Sequence, residues 1–214
     1  MSRIHLAAGL LATLCLGPAP QAVASPPDPA NCEVPPLITL VARGADGVAD
    51  PLGIFTVTVR DFNNVPEEGA TVTLDFSNCP DIRVCADQAD PNVVVDCAGR
   101  TVRAVTGSSG ETTFRVMGCA VNLGASPGTI GPTLEVYADG IFLNVVPVAA
   151  IDQNGCDGVD TNDLSAWLGD AFTVQPFARS DYNGDGHLDP NDLSIWLAAY
   201  FGGGSVLGGG ATCP

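Results

Sequence analysis

The chain contains no lysine, and all eight basic residues among its 214 are arginine. Twenty-four acidic residues therefore leave it with a net charge of −16. A surface of this charge repels phosphate backbones and anionic lipids, so we expect no nucleic-acid partner. The same excess of carboxylates is well suited to binding cations.

Long apolar segments are also missing, apart from one near the start. Arg3 precedes an apolar run from Leu6 to Leu16, which is too short to span a bilayer, and Ala-Val-Ala at 22–24 fits a cleavage site. We interpret residues 1–24 as a signal peptide; a buried N-terminal helix is the alternative. No later run is long enough to cross a membrane. The sequence therefore predicts a secreted protein, extracellular or at the cell surface, without a transmembrane segment.

Catalytic signatures are scarce. Beyond the predicted signal peptide, His187 is the single histidine, and no serine has a G-x-S-x-G context. Glu67 and Glu68 are adjacent in a turn, unlike the spaced carboxylates of an acid–base pair. We predict that the chain is not an enzyme and assign no catalytic residue. The enzyme alternative would require the acidic segment 77–99 to form a site.

Export determines how the cysteines are interpreted. Beyond Cys15 in the signal peptide, the cysteines are Cys32, Cys79, Cys85, Cys97, Cys119, Cys156 and Cys213. None has the CxxC spacing of a zinc site, and an oxidising compartment favours disulfides. The odd number leaves at least one of them free or bridged to another chain.

The middle of the chain has the pattern of a β domain. After a proline-rich lead-in at 25–36, short runs of alternating apolar and polar residues are separated by turns. These runs are 37–42, 53–62, 70–76, 100–106, 111–118, 133–139 and 141–148, the last two forming a hairpin around Asp139-Gly140. The pattern predicts an antiparallel sandwich over 37–150. The stretches VTVRDFNNVPEEGATVTLDF and VTGSSGETTFRV resemble bacterial immunoglobulin-like domains of the invasin/intimin type.

An internal repeat occupies the C-terminal region. The segment DQNGCDGVDTNDLSAWLGDAF (152–172) aligns with DYNGDGHLDPNDLSIWLAAYF (181–201) at an offset of 29 residues. Aspartates, asparagines, a glycine and a Leu-Ser-x-Trp-Leu pattern recur at the same places. We name the two acidic stretches loop A (152–163) and loop B (181–192).

Loop B has the spacing of a calcium-binding loop. Calcium takes several oxygen ligands, which a twelve-residue loop supplies at alternate positions and at its end, with a glycine at the sharp turn. The predicted ligands are Asp181, Asn183, Asp185, the backbone carbonyl of His187, Asp189 and Asp192, with Gly186 at the turn. An ordinary acidic surface turn would not need this regular spacing.

Loop A is less regular. The predicted ligands that it keeps are Asp152, Asn154, Asp160 and Asp163. Cys156 replaces the central aspartate, and a neutral thiol is a poor calcium ligand. We expect Asp157, helped by Gly158, to substitute for it. The sequence thus predicts two calcium ions, with loop B the stronger site; a weak or empty loop A is the alternative.

Each loop precedes a helix with an apolar stripe. The stripes are Leu164, Trp167, Leu168 and Ala171 in the first helix, and Leu193, Trp196, Leu197 and Tyr200 in the second. We expect the two helices to bury these faces against each other, and Leu188 of loop B to pair with Val159 of loop A. The predicted fold class is therefore mainly β plus small α. It consists of an antiparallel Ig-like sandwich followed by a small two-helix module (151–201) with paired EF-hand-like (F-hand) calcium loops.

A duplicated loop–helix unit in an exported chain resembles a dockerin type I module. The resemblance implies a cohesin-like protein domain as partner, contacted by the tenth and eleventh positions of each loop. Those positions are Thr161, Asn162, Pro190 and Asn191, which depart from the family's common Ser-Thr pair. The resemblance also implies that the start and end of the module lie close together. Because the glycine-rich tail (202–214) can fold back, we predict a Cys156–Cys213 disulfide; the alternative is a reduced, buried Cys156 and an exposed Cys213.

The predicted function is that of a secreted, non-catalytic calcium-binding protein. Its dockerin-like module would attach the chain to a cohesin-like partner, and its Ig-like domain would serve as a spacer or adhesive module. One alternative is a surface or matrix protein in which calcium only stabilises the chain. Another is an accessory component of extracellular polysaccharide degradation.

Overall fold

The structure, a computed structural model, describes residues 25–121, 129–173 and 175–213. The predicted signal peptide lies outside these ranges. Within them the chain forms eleven strands and two α-helices. The strands are β1 Ile38–Leu40, β2 Ile54–Thr58, β3 Thr71–Asp75, β4 Ile82–Val84, β5 Val94–Asp96, β6 Thr101–Val105, β7 Glu111–Arg115, β8 Gly118–Ala120, β9 Leu134–Ala138, β10 Ile141–Val146 and β11 Val148–Ala150. The helices are α1 Thr161–Ala171 and α2 Pro190–Gly202, with short 3-10 turns at Pro51–Gly53 and Ala178–Ser180.

The predicted antiparallel Ig-like sandwich is wrong, because the strands form several small sheets. One antiparallel sheet has five strands in the order β10-β9-β3-β6-β5, and β2–β7 and β4–β8 form antiparallel pairs. The fourth sheet is parallel and pairs β1 with β11. Alternation along the sequence identifies a half-buried strand but not its partner. It therefore could not reveal that the first and last strands of the β region run side by side in the same direction.

The predicted hairpin around Asp139-Gly140 is confirmed. β9 and β10 pair antiparallel, with Ile141 opposite Ala138. Asp139 and Gly140 both have positive φ, 48° and 79°. Two successive residues with positive φ give the turn a backbone twist that matches the right-handed twist of the paired strands.

The segment 77–99 contains two short strands that the sequence pattern does not predict. β4 pairs with β8, and β5 forms one edge of the five-stranded sheet. Each strand has only three residues, too few for an alternating pattern to stand out.

Each helix begins at a capping box formed by aspartates of the preceding loop. Asp160 caps α1 and Asp189 caps α2, each accepting the backbone N–H two residues further on. Asp163 and Asp192 in turn accept the backbone N–H of the capping residue, at 2.6 and 3.0 Å. Such reciprocal bonds satisfy donors that a helix start leaves unpaired. In the described ranges, neither helix combines the length and apolar character needed to cross a membrane.

Buried apolar side chains form two clusters. The first fills the β region, with Leu74, Phe114 and Leu134 fully buried. The second joins the helices to the β region. Its buried members are Val41, Ala49, Cys85, Met117, Ala149, Ile151, Val159, Trp167, Tyr182, Trp196 and Ala199. The C-terminal segment therefore shares a core with the β region.

This shared core corrects the prediction of a small two-helix module with paired EF-hand-like loops. The tryptophans pack with β-region residues, and Leu168, predicted for the buried stripe, is 39% exposed. Val159 belongs to the shared cluster but Leu188, its predicted partner, does not. The backbone N–H of Val159 donates to the carbonyl of Ser205 in the C-terminal tail (2.8 Å). Two short amphipathic helices offer each other little surface, so the apolar side chains of the β region complete their burial.

Candidate metal-binding loops

The two loops close in the same way. Asp163 ends loop A, Asp192 ends loop B, and neither is exposed to solvent. One carboxylate oxygen of each accepts the backbone N–H groups of loop positions 2 and 3. The distances are 2.6 and 3.0 Å in loop A, and 2.8 and 3.2 Å in loop B. The sequence repeat is thus also a repeat of hydrogen bonds.

The other oxygens of loop B accept hydrogen bonds from the loop's own backbone. Asp181 accepts the N–H groups of Gly184 (2.7 Å) and Gly186 (2.9 Å). Asn183 and Asp185 each accept the N–H two residues further on, both at 2.9 Å. These last two side chains are exposed. Loop B therefore holds its oxygens in an ordered arrangement, in which those of Asn183 and Asp185 are open to solvent and those of Asp181 and Asp192 are buried.

Loop A differs because two of its predicted ligand oxygens are buried without a partner. Asp152 is 0% exposed. One of its carboxylate oxygens accepts the N–H of Gly158 at 2.8 Å, but Oδ1 has no hydrogen-bond donor. Oδ1 of Asn154, two residues on, is also buried and unpartnered. A buried polar atom without a partner costs free energy, so this pair of oxygens fits a bound cation.

Burial also shifts the pKa values of these carboxyl groups. It raises the pKa of Asp152 to about 8, although the N–H of Gly158 opposes the shift. Burial raises the pKa of Asp163 and of Asp192 as well, against the backbone N–H groups that each accepts. Desolvation disfavours the charged form, and a nearby cation would reverse that effect. The loop carboxylates are therefore placed where positive charge would stabilise them.

Two disulfides, Cys119–Cys156 and Cys97–Cys213, replace the predicted Cys156–Cys213 bridge. That prediction is wrong because β8 lies beside loop A: the N–H of Ala120 donates to the carbonyl of Asp152 (2.7 Å). Cys119, the neighbouring residue of β8, reaches Cys156 there. The tail continues past loop A to the β region, where Cys97 is available.

The tail crosses directly over loop A. Val159 and Arg43 both form backbone hydrogen bonds with the tail, at Ser205 and Leu207 respectively. Gly158 has a φ of 100°, and a Cβ atom there would lie 2.6 Å from the carbonyl oxygen of Val206. Only glycine fits this close backbone approach. The tail therefore folds back as expected, but its disulfide joins Cys213 to Cys97 rather than to Cys156.

The two halves of the repeat are cross-connected through their tryptophans. The indole N–H of Trp167 in α1 donates to the carbonyl of Ser180, the residue before loop B (3.1 Å). That of Trp196 in α2 donates to the carbonyl of Ile151, the residue before loop A (3.2 Å). Each helix therefore supports the start of the other loop.

A second connection between the loops was not foreseen. Gln153 and Tyr182 occupy position 2 of their loops, and the side-chain amide of Gln153 donates to the Tyr182 hydroxyl at 2.6 Å. Both side chains are buried. The sequence signal for this contact was a large polar residue directly after the first predicted ligand in both copies of the repeat.

An ion pair fixes the start of loop B to the β region. Arg179 donates two hydrogen bonds to Asp170 of α1, at 2.8 and 2.7 Å. It also lies 3.8 Å from Asp81, which precedes β4. All three side chains are nearly inaccessible to solvent. The region between the helices is thus anchored on two sides.

The remaining predicted residues lie on the surface. Asp157, expected to replace Cys156 as a ligand, is exposed, so the structure does not bring it into the buried part of loop A. His187 and Asp189 are exposed and half-buried respectively, and Asp160 is half-buried. The predicted partner-binding residues Thr161, Asn162, Pro190 and Asn191 are all exposed at the helix starts.

In the described part of the chain, no three His, Cys, Asp or Glu side chains are gathered closely enough to form a metal site by themselves. A comparison with protein-family models, with curated proteins and with solved structures found no match. The features of the chain that bear on its function are therefore the geometry of the two loops and the sequence repeat.

Proposed function

We propose that the chain is an exported, non-catalytic calcium-binding protein in which loops A and B each bind one calcium ion. The observation that carries the proposal is the pair of buried, unpartnered oxygens on Asp152 and Asn154. Calcium prefers carboxylate and amide oxygens. A cation at this point would satisfy both atoms and offset the cost of burying the carboxylate.

The donor sets follow the repeat. In loop A the ligands would be Asp152, Asn154, Asp160 and Asp163, and in loop B they would be Asp181, Asn183, Asp185, the His187 carbonyl, Asp189 and Asp192. Bound calcium would supply positive charge among these carboxylates and stabilise the folded chain by mass action. The two disulfides are compatible with the oxidising surroundings of a secreted protein.

The second part of the proposal is attachment to a partner protein through the helix starts. Thr161 and Asn162 in the first copy, and Pro190 and Asn191 in the second, are exposed at equivalent places. The resemblance of the repeat to dockerin type I modules supports a cohesin-like domain as partner. Calcium would act indirectly, by fixing the loops from which both helices begin.

A structural role without a partner is the second candidate. The observation that favours it is the core shared by the helices and the β region, together with the buried Asp170–Arg179–Asp81 group. In this case calcium would only hold the C-terminal segment in place.

Capture by immobilised cohesin-like domains separates the two candidates. We expect the full chain to be retained in calcium and released by EDTA. Thr161→Arg combined with Pro190→Arg should reduce retention, whereas Val105→Arg, at an exposed position of β6, should not. Calcium-dependent stabilisation without any retention would favour the structural role.

A further inference from the structure

Three sulfur atoms meet beneath loop A. One disulfide joins Cys119 of β8 to Cys156 of loop A. The sulfur of Cys85, just after β4, lies 3.4 Å from the sulfur of Cys156. Cys85 forms no disulfide and is 1% exposed. A buried thiol is thus in contact with a disulfide.

The β4–β8 pairing places Cys85 and Cys119 on one face. Arg83 lies opposite Cys119, and the N–H of Cys85 donates to the carbonyl of Met117 at 3.0 Å. Residues two apart on a strand point to the same side, which makes Cys85 and Cys119 diagonal neighbours. Cys156 contacts both from loop A. Either neighbour is therefore placed to bond to it.

We propose that Cys85, Cys119 and Cys156 form an internal thiol–disulfide exchange site, in which Cys156 bonds alternately to Cys119 and to Cys85. The Cys85 thiol gives up its proton, which Cys119 takes up at the end of the exchange, and the Cys85 sulfur attacks that of Cys156. The Cys85–Cys156 bond forms as the Cys119–Cys156 bond breaks. The electron pair leaves on Cys119, which takes up a proton. The number of disulfides is unchanged, so the exchange needs no oxidant or reductant.

The surroundings restrict the exchange to these three residues. Gly209 of the tail covers Cys85 so closely that a Cβ atom at this position would collide with its sulfur. Outside thiols are thus kept away. Burial, reinforced by the Asp152 carboxylate, raises the pKa of Cys85 to about 12. The exchange is therefore slow, because only the thiolate attacks. Either bridge keeps loop A attached to the β4–β8 pair.

Cys79 is a matched control for Cys85. It is also buried and free, and burial raises its pKa to about 11. Its sulfur contacts the Thr133 hydroxyl (3.2 Å) rather than a disulfide. A general reactivity of buried thiols would affect both residues, whereas exchange at the proposed site involves Cys85 alone.

Peptide mapping of the full chain tests the proposal. Trypsin together with a protease that cleaves before aspartate places every cysteine beyond the signal peptide on its own peptide. For example, cleavage after Arg83 and before Asp87 isolates Cys85, and cleavage before Asp152 and Asp157 isolates Cys156. The wild type, Cys119→Ser and Cys85→Ser are reduced and unfolded, then refolded in a buffer of reduced and oxidised glutathione, which supplies the oxidant while the sulfur atoms are still accessible. The folded chains are then held at mildly alkaline pH. The samples are then quenched in acid, unfolded in denaturant and alkylated, so that buried free thiols react as well, before digestion.

The two possible bridges give different linked peptides. In Cys119→Ser, we expect Cys156 to be linked to Cys85, and alkylation of Cys85 to fall at least about twofold while that of Cys79 stays constant. In the wild type we expect both linked peptides, and in Cys85→Ser only Cys119–Cys156. Cys85 and Cys156 both alkylated in Cys119→Ser would overturn the proposal. So would a wild type that contains Cys119–Cys156 alone after equilibration, a result that does not depend on how well the variant folds.

Discussion

Loops A and B carry nearly the same acidic pattern in different surroundings. Loop A lies under the C-terminal tail, is joined to β8 by a disulfide, and buries two ligand oxygens without partners. In loop B, Asn183 and Asp185 are exposed, and their oxygens accept hydrogen bonds from the loop's own backbone. Both loops close with an equivalent buried aspartate. The difference therefore arises from the part of the molecule packed against each loop.

This difference predicts separate roles for the two cations. A cation in loop A would be part of the protein interior, and its loss would leave a buried carboxylate uncompensated. A cation in loop B would be reached from solvent, and its loss would leave an ordered loop. We therefore expect loop A to contribute mainly to stability, and loop B to respond more readily to changes in calcium concentration.

We expect the largest difference in stability between the loops when alanine replaces a glycine that has the same role in each of them. Gly158 in loop A and Gly186 in loop B both donate to the first aspartate of their loop and both have positive φ. Gly158→Ala should lower the free energy of unfolding by about 2–5 kcal/mol, because backbone strain adds to a collision with the tail. Urea denaturation measures the effect.

The matched variant Gly186→Ala separates strain from collision. A Cβ atom at Gly186 has no neighbouring atom within 4 Å, so this variant should lose only about 1–2 kcal/mol. Equal losses for the two variants would contradict the close packing of the tail on loop A.

We expect a smaller effect on the free energy of unfolding when asparagine replaces the first aspartate of each loop and EDTA removes calcium. This effect should have opposite signs in the two loops. Asp152→Asn should raise the free energy of unfolding by about 1–3 kcal/mol at neutral pH. Burial raises the pKa of Asp152 to about 8, so the acid must take up a proton at a cost in free energy when the chain folds, whereas the amide is already neutral and keeps an acceptor for Gly158. Asp181→Asn should lower it by about 1–2 kcal/mol, since both oxygens of Asp181 accept N–H bonds. Denaturation of both variants without calcium measures the signs. A loss of stability in both variants would contradict the proposed difference between the surroundings of loop A and loop B.

Some of the fold could be predicted from local patterns. The β9–β10 hairpin follows from Asp139-Gly140 between alternating runs, and the two helices follow from the apolar stripe after each loop. The parallel pairing of β1 with β11 and the core shared with the helices depend on contacts between distant segments. Neither alternation nor helical periodicity indicates which distant partner a buried face will meet.

The candidate site, like the fold, could be predicted from the sequence only where it depends on local patterns. The repeat predicted which residues belong to each loop, and the two loops do share their closing hydrogen bonds. The partner of Cys156 could not be predicted, because disulfide pairing depends on which strand lies beside the loop. The contact between Gln153 and Tyr182 was missed, since position 2 is not a ligand position. Spacing thus identified candidate ligands, whereas their burial required the fold.

Calorimetric titration of calcium into the EDTA-treated full chain tests the proposed cation sites most directly. The full chain is needed because the helices share a core with the β region. We predict about two ions per chain. Asp152→Ala and Asp181→Ala should each weaken one site, with the larger loss of affinity in Asp181→Ala because loop B has the complete oxygen set. No binding at millimolar calcium by the folded wild type would contradict the assignment of both loops.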